Sequence, residues 1–182
     1  MIHVITPFSR EHLRKIFTEH LKQFPVESIL CEEEVYTKDP AYEKANNFIK
    51  KGNIKDEDYY CFLCDDDNYE VGFFDNLPDA DVIFVSMKRG DNVVGQGVSR
   101  HPTNTLIAAP ENIKLMNVGF EQFIVKGRVL KQMKFTMGTP YADGMMAMWL
   151  KENFKCVYEP NRFVLFNRLE KGRYSNLSEI VL

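Results

Sequence analysis

Several things are scarce in this sequence, and each scarcity excludes something. Cysteine is sparse: Cys31, Cys61, Cys64 and Cys156 among 182 residues are too few for a disulfide scaffold and fit a reducing compartment. No apolar run approaches the ~20 residues of a transmembrane helix, so no membrane partner is expected. The opening stretch, Met1 to Pro7, lacks the basic and apolar regions of a signal peptide, and a cytoplasmic location is expected. Neither sign of charge dominates. With 23 Lys and Arg against 26 Asp and Glu, the net charge is −3, which argues against a protein held to nucleic-acid phosphates. Repeats, low-complexity tracts and linkers are also missing. What is present is 45% apolar residues, 13% of the chain being aromatic, enough to bury one continuous core. At this length a single domain is the default.

Periodicity divides the chain into short elements. Met1 to Ile5 reads as a strand, followed by a helix with Ser9 as cap and Leu13, Ile16, Phe17, Leu21 and Phe24 on one face. His20 falls within that apolar stripe, where a boundary residue is commoner than a ligand. The run Glu32-Glu33-Glu34 reads as a solvated connection. Asp39, Pro40 and Gly52 punctuate a second helix at cap, first position and end. Tyr59–Cys64 and Tyr69–Phe74 read as a hairpin whose turn, Asp65-Asp66-Asp67-Asn68, faces water. Val82–Met87 is a buried strand. A third helix is expected from Pro110 to Gly127, a strand over Val129–Met137, and a fourth helix from Pro140 to about Phe154. On that fourth helix Ala142, Met145, Met146 and Trp149 form an inward stripe, which makes Trp149 a core residue. A closing hairpin, Cys156 to Phe166, ends the regular part.

Three segments together resemble the GNAT superfamily of N-acetyltransferases. Cys61 to Phe73, with Val71-Gly72 after the turn, is similar to that family's second and third strands. Lys134–Met137 through Trp149–Phe154 looks like its fifth strand and fourth helix, and Cys156–Phe166 sits where its last two strands lie. The resemblance implies an α/β fold, a single mixed and mainly antiparallel sheet flanked by about four helices. It divides the chain into a domain over 1–168 and a tail over 169–182. It implies acetyl-CoA as cosubstrate, no metal, and acylation of an amine on a small molecule or protein. Cofactor contacts would then come from Ser86, Met87, Lys88 and Arg89, and from the loop Asn92-Val93-Val94-Gly95-Gln96-Gly97, with Asn92, Gly95 and Gly97 in the family's phosphate-binding positions. Asp81 is the acid nearest the fourth strand and Tyr141 the tyrosine at the end of the fourth helix, so these are the candidate catalytic residues.

The sequence departs from that pattern in two ways. The cofactor loop begins with Asn, and its helix starts only near Pro110. Where the family often carries an acidic tyrosine, this chain has Trp149, which has no acidic proton. The departures define an alternative: a scaffold without catalysis, structural or partner-binding, of the kind found in phage and virus genomes. Cys61-x-x-Cys64 has half the ligands of a zinc site, and no second pair of that kind accompanies it.

Overall fold

The computed structural model describes residues 1–89, 105–115 and 117–166. The cofactor-loop residues Asn92, Gly95 and Gly97 lie outside them, as does the tail over 169–182. Among the described residues are eight strands in one mixed sheet: β1 (Ile2–Thr6), β2 (Glu27–Leu30), β3 (Tyr59–Phe62), β4 (Asn68–Tyr69), β5 (Val82–Arg89), β6 (Thr105–Leu106), β7 (Phe123–Lys126) and β8 (Cys156–Phe166). Four helices accompany them: α1 (Arg14–Leu21), α2 (Pro40–Lys51), α3 (Gly127–Leu130) and α4 (Ala142–Asn153). The sheet runs β2-β1-β3-β7-β5-β8-β4, with β6 on β5. One apolar cluster packs around Phe62, Phe84, Phe123 and Phe135, the other around Phe17, Tyr69, Phe74 and Ile83.

The first half of the chain sets the position of everything that follows. β1 is parallel to both β2 and β3. The chain passes from β1 through α1 to β2 on one side, then returns through α2 to β3 on the other. The direction of winding thus reverses between β1 and β3. In open α/β sheets such a reversal leaves a crevice beyond the carboxyl ends of the two strands, where ligands bind. α2 starts and stops as its punctuation predicts, with Pro40 in the first turn and Gly52 closing it.

Elsewhere the structure corrects the sequence reading. β3 and β4 are not a hairpin: β3 pairs with β1 and β7, whereas β4 pairs with β8. The segment from Pro110 carries one 3₁₀ turn, Pro110–Asn112, and then gives way to β7. Helical spacing of Ile113, Phe120, Phe123 and Ile124 concealed a strand whose four residues are all buried between β3 and β5. Val129–Met137 is not a strand either. Its residues 132–136 alternate outward and inward, but both backbone groups of Phe135 are taken by the side chain of Asn46 on α2, at 2.8 and 3.0 Å. Val82–Met87 and Val129–Met137 therefore do not pair, and β5 lies between β7 and β8. Finally, Cys156–Phe166 is one strand parallel to β5, with a register shift at Val85 and Ser86. The coarse expectation of an α/β protein with one mixed sheet and four helices stands; the acyltransferase arrangement does not.

Candidate site at the carboxyl ends of β1 and β3

The chain leaves β3 through Leu63 and Cys64 and enters three aspartates. The expected solvated turn is instead interior: Asp65, Asp66 and Asp67 are at most 3% exposed. Ionised carboxylates are this deeply buried only when they are paired or hydrogen-bonded. Asp65 meets that need by reaching across to the loop after β1. Its Oδ2 accepts the backbone N–H groups of Ser9 and Arg10, both at 2.7 Å, and its Oδ1 pairs with the Arg10 guanidinium. Arg10 also reaches Asp66 at 2.8 Å. Burial pushes the Asp66 carboxyl above its ordinary range, with the Arg10 charge pulling against that shift. The two loops at the winding reversal are thus tied by charge-assisted hydrogen bonds, the stronger kind.

Beyond Asp65 and Asp66 lies a second acidic group. Glu121, from the segment before β7, is 4% exposed and hydrogen-bonds Cys64 and Asp67. Burial raises its carboxyl, and burial raises the Cys64 thiol as well. A Cys64 sulfur and oxygens of Asp67 and Glu121 lie within 4.8 Å of one another. This donor set is oxygen-rich, which suits a hard divalent cation, while the neutral thiol adds little to such a site. Across the same region Tyr42 of α2 hydrogen-bonds Asp143 in the first turn of α4. Its hydroxyl is held far above the ordinary tyrosine range by burial, with Asp143, Glu121 and Cys64 adding to the effect. Carboxylates from three places in the chain therefore gather at one end of the sheet.

A cleft of about 460 Å³ opens beside them. Phe8 and Ser9 line it on the β1 side, Glu32, Glu33, Glu34 and Tyr36 on the β2 side. Its cations are Arg14, paired with Glu11 and Glu32, and Lys44, which is 6% exposed and donates to the carbonyl of Phe8. Ser9 is shared: its side chain borders the cleft and its N–H is held by Asp65.

The residues proposed from sequence do not come together, and all of those described except Tyr141 lie elsewhere. Asp81 precedes β5 at the amino end of the strand, where Arg128 holds its Oδ1 at 2.6 Å. Tyr141 is exposed at the N-cap of α4, two residues before Asp143 and at the same end of that helix. Ser86 is fully buried; its hydroxyl donates to the Pro160 carbonyl at 2.8 Å and accepts from the Ala108 N–H at 2.9 Å. Met87 is core, and Lys88 pairs with Glu70 over the Phe163 ring. Arg89 ends β5.

No protein-family model matches the sequence, and no curated protein matches it. Among solved structures the chain is similar to residues 1–349 of S. aureus TarS, with 18% identity and a TM-score of 0.45. The complex of TarS with UDP-GlcNAc gives 17% and 0.48, and the complex with UDP gives 17% and 0.42. Each match covers 91% of this chain but 48–56% of the other, so the chain spans about half their length. The ligands in those structures are UDP-GlcNAc and UDP, not acetyl-CoA. The N-acetyltransferase resemblance and its acetyl-CoA cosubstrate are withdrawn, because no family model matches and neither of the two hairpins that carried the resemblance forms. Likeness at this level assigns no activity to the present chain.

Proposed function

We propose that the carboxyl ends of β1, β2 and β3 bind a nucleotide sugar and that the chain transfers its sugar to a hydroxyl acceptor. One observation carries this reading: three buried aspartates close β3 at the winding reversal, two of them pinned to the loop after β1. That is where a doubly wound sheet presents ligands. The cleft beside it has a guanidinium and an ammonium for a diphosphate, carboxylates for ribose hydroxyls and Tyr36 for a base. Asp67 and Glu121 would hold a divalent cation, which would neutralise charge on the departing diphosphate. The transfer breaks the bond between the anomeric carbon and the diphosphate oxygen, which keeps the electron pair. The acceptor oxygen forms the new bond, and its proton passes to Asp143, the carboxylate across the cluster.

Calorimetric titration with UDP-GlcNAc in the presence of MnCl₂ tests the reading. Saturable binding is expected, and the Asp67→Asn, Glu121→Gln double variant should lose at least tenfold in affinity, about 1.4 kcal/mol. Absence of heat with UDP-GlcNAc and with UDP, in folded wild-type protein, would reject it.

A further inference from the structure

A second pocket, of about 330 Å³, lies on the far flank of α4. That volume is at the lower end for small-molecule sites, roughly 300–1,000 Å³. Its two walls differ in chemistry. One is the outer stripe of α4, where Ala142, Met145 and Trp149 recur at helical spacing. Met145 stays 42% exposed, and Trp149 is half-buried, packed at the edge of the core against Phe154, so the stripe is not wholly inward as its spacing predicts. The facing wall is the extended segment 132–136. There Met133 and Phe135 turn inward at 3% and 0% exposure, and Gln132, Lys134 and Thr136 therefore turn outward into the pocket. The pair of hydrogen bonds between the Asn46 side chain and the Phe135 backbone holds that alternation in place.

We infer that this pocket is a saccharide subsite, which takes the acceptor of the transfer proposed above and rests on that reading for its role. A sugar ring has a C–H face and a rim of hydroxyls. The indole and thioether wall matches the face, and the amide, ammonium and hydroxyl wall matches the rim. Ala142 lines the pocket one residue before Asp143, the proposed base, so the two share the first turn of α4 while facing different flanks of it.

Trp149 is the only tryptophan in the chain, so its fluorescence reports this pocket directly. Titration with N-acetylglucosamine and its β-linked disaccharide should give a saturable change at millimolar sugar. The Gln132→Ala, Lys134→Ala double variant should weaken it at least tenfold, and Met145→Arg, which fills the pocket from an exposed position, should abolish it. No response in wild-type protein, or a response that survives both variants, would overturn the inference. Donor calorimetry runs separately. A sugar response that persists in the Asp67→Asn, Glu121→Gln variant supports the subsite, whereas failure of donor binding in wild-type protein rejects the transfer reading alone.

Discussion

At the scale of single residues, the structure assigns opposite demands to glycines that look alike in sequence. Gly144 sits in the first turns of α4, where a Cβ would lie 2.0 Å from the carbonyl oxygen of Leu115. The obstacle is backbone, so either the helix or the 113–115 segment must move. Gly138 has nothing within 4 Å of a Cβ but has φ +76°, which disfavours any side chain. Gly144→Ala should therefore cost about 3 kcal/mol or more by overpacking, and Gly138→Ala about 1 kcal/mol by conformational strain. Urea midpoints with unchanged slopes would measure both, and equal losses would contradict the distinction. The aspartates teach a related lesson. Asp65-Asp66-Asp67 has turn composition, and nothing local separates a solvated turn from an interior cluster. The available signal was the apolar run Tyr59–Cys64 immediately before it, which placed the acids at the end of a buried strand.

At the scale of elements, α1 meets β4 through a neutral histidine. His20 is 8% exposed, its Nε2 lies 3.5 Å from the Tyr69 N–H, and its ring packs edge-on against Phe24. Burial lowers its pKa to about 4 from an ordinary value near 6.5. The sign follows from the direction of that shift. Below pH 6.5 the unfolded chain takes up a proton that the folded chain refuses until about pH 4, so stability falls as pH falls through that window. The loss from this group should approach 2–3 kcal/mol, read as a drop in melting temperature between pH 7 and 4.5. His20→Gln keeps an acceptor without the titration and should flatten that part of the profile; an unaltered profile would refute the assignment. Elements with local determinants were legible in the sequence: β1, α2 with its proline and glycine, and α4 to within two residues. Those set by distant partners were not. β7 needed β3 and β5 on either side, β8 needed the whole of β5, and the extended segment 132–136 needed one asparagine on α2.

At the scale of the whole molecule, the two ends of the sheet carry different kinds of charge. The amino end is a lattice of exposed pairs: Arg128 with Glu57 and Asp81, Lys131 with Asp56, and the Met1 amino group with Asp58. Pairs of this kind contribute about 0–1 kcal/mol each. The carboxyl end buries its charge, with Asp65 and Asp66 on Arg10 and Lys44 against the Phe8 carbonyl. Buried charge is costly, so a fold retains it where the arrangement serves a ligand or fixes a loop. Lys44→Met keeps the aliphatic stem but strips the ammonium from the cleft and leaves the Phe8 carbonyl without that donor. It should cost about 1–3 kcal/mol of stability and lower UDP affinity at least tenfold. Arg128→Ala, at the other end, should cost less than about 1 kcal/mol and leave UDP affinity unchanged. Calorimetry of both variants beside wild-type protein decides the matter. Equal losses of affinity at the two ends would mean that the molecule has no such polarity, and the nucleotide would have to be sought away from the carboxyl ends of β1 and β3.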